Sequence, residues 1–414
     1  MDLGAPTEAK QRMTFRERLR ETGPSAMITG AIVGPGTVTT CTVIGIKYQY
    51  ALLWVCLLLL FFHFALRDMT ARLGLCGGKT FQQAIREDIE NPILRNITIT
   101  IVAVAVGIAC LSFQFGSIMG AGLGLQFFFP NVEASSLAAI IGLVCIPLIL
   151  SGSYKTIETA IKYMILAFSI SFLATVLVSG PSLGAILKGL FVPSIPKGAL
   201  PNVLSLVGTT GIGGYTLFLH TNSIREKWSG PEDLYKARND IFIMAPIAVI
   251  TTAMIMISAG SMYSTGVEVS SAAVMGEQFA PIYGDFAKYI FAVGLSSAGI
   301  SSAIPVAMAS SWILTGVLGY ESTMESKPFR IATVIHLVLG SIMAYYGRRP
   351  VQLILSAQAV NGVLGPITAI ILLVLANKKS LMKDYTNSTL VNVVGIVAVI
   401  FGLVISFRSL ASMF

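Results

Sequence analysis

The sequence predicts an all-α polytopic membrane protein with eleven transmembrane helices. Three observations carry that reading: too little charge for a soluble domain, a succession of apolar runs long enough to cross a bilayer, and helix-breaking glycines in the middle of two of them. The chain has 414 residues, of which 54% are hydrophobic and 12% charged, with a mean hydropathy of +0.78. An ordinary soluble domain carries roughly a quarter charged residues. The apolar residues cluster in runs of about 18 to 25, the length a helix needs to cross the hydrocarbon core.

In chain order the apolar windows fall near 26–46, 50–66, 98–125, 136–151, 156–178, 203–222, 241–262, 286–318, 331–346, 351–376 and 390–407. Only short loops join them, which leaves no room for a separate catalytic or nucleotide-binding domain. The organisation expected is a short cytoplasmic segment, 1–24, followed by one transmembrane domain over 25–414. Residues 1–24 are polar and carry Arg16-Glu17-Arg18-Leu19-Arg20, a lead-in rather than a cleavable presequence.

The net charge of +8 reports topology, because no basic face alternates with aromatic residues as a nucleic-acid surface would. With the N-terminus inside, the inner segments hold twenty Lys and Arg and the outer ones five. That bias places the N-terminus in the cytoplasm and the C-terminus outside, in a multi-pass protein of the cell membrane whose basic inner surface faces anionic lipid.

Enzyme chemistry finds no support. Gly77-Gly78-Lys79-Thr80 resembles the end of a phosphate-binding loop, but Leu73 stands where that motif needs a glycine. His63 and His336 lie singly in apolar runs, His220 closes the sixth window, and none has a nucleophile and carboxylate beside it. The five cysteines lack metal-ligand spacing and read as small buried hydrophobes without disulfides. No cofactor is expected, nor an oligomer.

Two windows are broken at mid-depth, which lipid tolerates only where the freed backbone lines a protected cavity. The first reads Thr29-Gly30-Ala31-Ile32-Val33-Gly34-Pro35-Gly36-Thr37-Val38-Thr39-Thr40, where Pro35 removes a helix hydrogen bond and the glycines permit unwound dihedrals. The sixth reads Gly208-Thr209-Thr210-Gly211-Ile212-Gly213-Gly214-Tyr215. Windows 1 and 6 hold corresponding positions in two five-span halves. That is the pattern of an inverted-repeat carrier whose substrate sits between two discontinuous helices. Close helix packing through small residues is the plainer reading of such glycines; two breaks in register favour the carrier.

The stretch from Gly23-Pro24 through Gly34-Pro35-Gly36-Thr37 to Tyr50-Ala51-Leu52-Leu53-Trp54, followed by Thr70-Ala71-Arg72-Leu73-Gly74-Leu75, resembles the start of the Nramp family of divalent-metal transporters. The similarity continues through Leu217-Phe218-Leu219-His220-Thr221, Gly294-Leu295-Ser296-Ser297 and Ser356-Ala357-Gln358 to Pro366. The resemblance implies a LeuT-type inverted repeat of spans 1–5 and 6–10, with the metal between the breaks of spans 1 and 6.

The departures bear on the substrate. Where the family has Asp-Pro-Gly-Asn in its first span, this chain has Gly34-Pro35-Gly36-Thr37; where its sixth has Met-Pro-His, this chain has Gly213-Gly214-Tyr215. The family's third-span glutamate falls near Gln114 or Phe115, a further first-span aspartate becomes Cys41, and Gln358 is kept. The carboxylate, the soft thioether and the histidine tied to proton movement are thus missing. All 20 Asp and Glu fall in loops or at window ends, Glu158 and Asp285 coming nearest to membrane depth. A bare divalent ion would have no compensating charge there.

One reading keeps the metal and its water. Magnesium dehydrates reluctantly, and a pocket widened by Gly34, Gly36, Gly213 and Gly214 would admit a hydrated ion. Thr37, Thr40, Thr210, Tyr215, Gln358 and freed carbonyls would line it, with Thr37, Tyr215 and Gln358 holding the metal through water. A prokaryotic branch of Nramp relatives is associated with magnesium, so the expectation is weak transport of hydrated Mg2+, or Mn2+, uncoupled from protons. The alternative is a carrier of a small organic acid, an amino acid or a metal-carboxylate complex, held by bare amides. Its mark would be a basic partner, Lys47 or Arg67, against which stand snorkelling for Lys47 and an inner anchor for Arg67. A receptor that uses the fold without transport ranks last.

Overall fold

The computed structural model describes residues 14–151, 153–211, 214–263, 272–280, 284–347 and 350–411, and the regular elements among them are helical. Each predicted apolar window falls on a helix. Among the described residues, nine helices are long and apolar enough to span a membrane, and the bent pair Pro24–Ile32 and Pro35–Tyr48 makes a tenth. The remaining window, the fourth in chain order, is the shorter apolar helix Ala134–Leu150. The segments are numbered here one to eleven in chain order.

Their packing is graded. The described residues of the apolar window in the sixth span, Leu200–Lys227, are all buried, against 33% in the third, Pro92–Leu125, and 28% in the fifth, Tyr154–Ser179. The sixth span is therefore the axis of the bundle. Outer helices turn Val104, Leu143, Leu177 and Phe407 outward, a surface stable only against hydrocarbon.

The second span shows where sequence boundaries fail. Its window ends at 66, yet the helix runs Leu53–Leu75, because Asp68 and Arg72, two of the charges that lower the hydropathy, are paired inside. Asp68 is buried and receives Arg72 Nε at 2.8 Å and Arg238 Nε at 2.8 Å. Asp240 is likewise buried in the seventh span. The expectation that every carboxylate lies in a loop or at a span end is thereby corrected: Asp68 and Asp240 sit inside spans, where specific partners offset their desolvation. Glu158 pairs with Lys162 as the i,i+4 spacing predicts, at 2.7 Å, and also with Lys227 at 3.4 Å.

The first span is fastened at both ends. At its start, Asp240 Oδ1 accepts from Gly23 N at 2.9 Å and Oδ2 from Ser25 N at 2.7 Å, so a seventh-span carboxylate caps the half-helix Pro24–Ile32. Asp240 thus clamps the first span to the seventh. At the other end, Gln278 Nε2 donates to Thr42 Oγ1 at 3.2 Å, and its Oε1 accepts from Ser258 Oγ at 2.6 Å.

Candidate functional site

The first predicted break is present, and at the second the described residues show a π-helical turn. The first span bends by 52° between Ile32 and Pro35, across Val33 and Gly34. In the sixth, the helix Leu200–Leu206 widens into a π-helical turn over Val207–Gly211, and a second half-helix runs Gly214–Lys227. A π-turn lengthens the hydrogen-bond ring and frees backbone groups locally. Gly213 lies outside the described residues.

The breaks touch. Thr37 Oγ1 donates to Ile32 O and lies 2.7 Å from Thr209 Oγ1; with its hydrogen spent on Ile32, Thr37 accepts from Thr209. The carbonyls expected to face a substrate are occupied by side chains instead. Ile32 O receives Gly34 N and Thr37, Ala31 O receives Ser302 Oγ at 2.9 Å, and Thr210 O is met by His63 Nε2. Thr37, expected as a ligand through water, is therefore a latch between the two breaks.

The pocket expected from the glycines is also corrected. A Cβ on Gly34 would lie 2.7 Å from Ser302 Oγ, one on Gly36 2.0 Å from Gln358 Nε2, and one on Gly214 2.7 Å from Thr368 Oγ1. Polar side chains from the eighth and tenth spans fill the space these glycines leave. In this conformation the glycines permit close approach rather than widen a cavity.

What gathers at the junction is a set of buried polar groups without hydrogen-bond partners among the described residues. Gln358 is fully buried, and neither its Oε1 nor its Nε2 has a hydrogen-bond partner. It lies between Gly36 of the first span, Gly116 of the third and Gly208 of the sixth; a Cβ on Gly208 would meet Gln358 O at 1.9 Å. Thr40, one helical turn from Gly36, Thr210 and Tyr215 are fully buried, and their hydroxyls too lack partners. Tyr215 packs its ring on Phe113 of the third span, with centroids 5.1 Å apart. Gln114, beside Phe113, is buried with both amide atoms unpartnered and lies against Gly340 of the ninth span. Among the described residues, no three His, Cys, Asp or Glu side chains gather as a metal cluster.

Three residues were not foreseen in these roles. His63 reaches a freed carbonyl of the sixth span, and the signal was its place in an apolar run, since an ionisable side chain there is functional by default. Ser302 belongs to the small-residue stretch Ser296–Ser302 but also bonds the first break. His220 does not close the sixth span, which continues to Lys227; its Nε2 meets Ser25 Oγ at 3.2 Å and its Nδ1 meets Thr70 Oγ1 at 2.7 Å. Of the two basic candidates, Lys47 is exposed, as snorkelling predicts, whereas Arg67 is buried at 2% exposure and anchors no surface.

A helical bundle whose first and sixth spans break and meet at the centre is a multi-pass membrane transporter of the LeuT type. The solved structure of MhsT in complex with L-phenylalanine shares that fold with a TM-score of 0.62 at 18% identity, over 94% of this chain and 97% of that one. The likeness is greater to the manganese transporter of Eremococcus coleocola, with a TM-score of 0.79 at 19% identity, over 99% of this chain and 90% of that one. The model of the family described as natural resistance-associated macrophage protein-like, Nramp, matches residues 25–412, and the chain belongs to that family. The divalent metal cation transporter MntH of Bacillus subtilis is 26% identical over 393 residues, covering 92% of this chain and 89% of the relative.

Proposed function

We propose that the chain moves a divalent cation across the membrane through the junction of its first and sixth spans, and that the cation travels with its water. Magnesium is the favoured ion and manganese the second; affinity is in the millimolar range, and the flux follows membrane potential without proton coupling. Membership of the Nramp family and the naming of its MntH relatives as divalent metal cation transporters support the divalent cation over the organic acid.

The observation that carries the hydrated form is Gln358. A fully buried amide with four unused hydrogen-bonding positions is costly unless something polar is to meet it. Thr40, Thr210 and Tyr215 add three neutral hydroxyls. Neutral donors and acceptors suit the outer face of a hydration shell, which offers both hydrogens and lone pairs. They suit a bare transition ion poorly, since it calls for soft or charged ligands. Magnesium keeps several waters when bound, with metal-to-oxygen distances of about 2.1 Å to its own ligands.

In this reading Gln358 swings off Gly36 as the ion enters, and Tyr215 bounds the site on the side of Phe113. The first span then rocks between its clamps at Asp240 and at Gln278. Its start faces the cytoplasm in the orientation the basic loops prescribe, and the chain works as a monomer. Proteoliposomes holding a magnesium-sensitive and a pH-sensitive dye test the proposal. Magnesium entry that saturates in the millimolar range, scales with an inside-negative potential and leaves lumenal pH unchanged is expected. Manganese entry with stoichiometric acidification and no magnesium flux would overturn it.

A further inference from the structure

Arg67 has surroundings that a cation path does not explain. It lies in the second span at 2% exposure, and none of its three guanidinium nitrogens has a hydrogen-bond partner among the described residues. The other buried arginine of the same helix is treated differently. Arg72 bonds Asp68 Oδ2 at 2.8 Å, Tyr385 O at 2.6 Å and Asn387 Oδ1 at 2.7 Å.

The groups around Arg67 are already committed. On its own helix face, His63 spends Nε2 on Thr210 O, and Thr70 Oγ1 donates to the Arg67 carbonyl at 2.9 Å. With that hydrogen used, Thr70 accepts from Nδ1 of His220, whose Nε2 lies 3.2 Å from Ser25 Oγ. Asp240 lies within electrostatic reach of Arg67, but its two oxygens are held by Gly23 N and Ser25 N and it forms no ion pair with the guanidinium. A guanidinium stays protonated at any depth, so five N–H donors and a full charge are left without a hydrogen-bond acceptor among the described residues.

We propose that Arg67 anchors a buried site for one small inorganic anion of the chloride class, between the second span, the start of the first and the second half of the sixth. One fixed positive charge fits a monovalent ion, and the carboxylate of Asp240 nearby disfavours a second negative charge. The buried and committed neighbours, His63, Thr70, His220 and Ser25, leave little room for an organic acid. The anion balances a positive charge that would otherwise oppose a cation passing through this half of the molecule. The site stands apart from the cation reading, and its test makes no use of transport.

The test is thermal unfolding of the purified full-length protein in chloride, bromide, sulfate and gluconate at matched ionic strength. A melting temperature that rises saturably with chloride and bromide, but not with sulfate or gluconate, is expected. Arg67→Gln should melt at one temperature in all four salts, and Arg67→Lys should keep the dependence with affinity weakened about tenfold, because ammonium lacks the planar fork. A wild-type protein indifferent to the anion, or an equal chloride response in Arg67→Gln, overturns the site. Should Arg67→Gln fail to fold, bromide-soaked crystals of the wild type decide: an anomalous peak at the guanidinium supports the proposal, and its absence refutes it.

Discussion

Thr37 of the first span and Thr209 of the sixth place their hydroxyl oxygens 2.7 Å apart, so the two breaks are joined by a side-chain hydrogen bond, and Thr37 also closes Ile32 O. The breaks are a single polar joint rather than two separate defects.

Removing that joint has a definite cost. Thr37→Val keeps the shape, strands the Thr209 hydroxyl and takes one of the two donors from Ile32 O. The expected loss is about 1–3 kcal/mol of stability, the range for a buried polar group left without its partner. Thermal or denaturant unfolding in detergent measures it; a variant as stable as the parent would show that the two threonines do not hold the breaks together.

Gly36 and Gly208 both press on residue 358, and they should respond oppositely to alanine. A Cβ on Gly36 strikes the amide end of Gln358 at 2.0 Å, whereas one on Gly208 strikes its backbone oxygen at 1.9 Å and Gly362 N at 2.5 Å. A side-chain end can rotate away and a backbone cannot. Gly36→Ala should therefore fold, and combining it with Gln358→Ala should cost less than the two single losses summed. Gly208→Ala should fail to reach a monodisperse folded state, and Gln358→Ala should not rescue it. Size-exclusion profiles and melting temperatures of the five variants distinguish these outcomes.

Asp240 clamps the start of the first span through Gly23 N and Ser25 N. Asp240→Asn loses the charge and one of two accepting oxygens, which costs about 2–3 kcal/mol for hydrogen bonds to a charged group. The freed half-helix should also expose its first turn. A Ser25→Cys reporter, buried in the parent, should be alkylated faster when Asp240 is replaced; an unchanged rate would remove Asp240 from the clamp.

The sequence showed the first break plainly, because Pro35 between Gly34 and Gly36 forbids a continuous helix whatever surrounds it. The second was visible as a run of glycines, but its π-helical form depends on His63 meeting Thr210 O from another span, which no local pattern encodes. The second span was cut short at 66 because hydropathy treats Arg67, Asp68 and Arg72 as costs wherever they occur. It cannot know that Arg238, 170 residues beyond Asp68, completes an ion cluster. The site glycines misled for the same reason. Local sequence shows that Gly34, Gly36 and Gly214 leave space, and only the packed bundle shows that Ser302, Gln358 and Thr368 take it.

Gln358 offers the sharpest division between stability and function. As a buried amide with no protein partner, it lowers the stability of the conformation that contains it, and an apolar side chain of similar volume should relieve that cost. Gln358→Met is therefore expected to raise stability by about 1–2 kcal/mol, the desolvation penalty of an unsatisfied polar group. If the amide meets the hydration shell of a passing ion, the same substitution removes a donor and an acceptor that would bond the ion's waters. Magnesium flux into proteoliposomes should then fall about tenfold, the factor that about 1.4 kcal/mol of lost interaction gives. A purely structural Gln358 would move stability and flux in the same direction. Opposite signs, a higher melting temperature with a lower flux, mark a group that the fold tolerates for the sake of the ion.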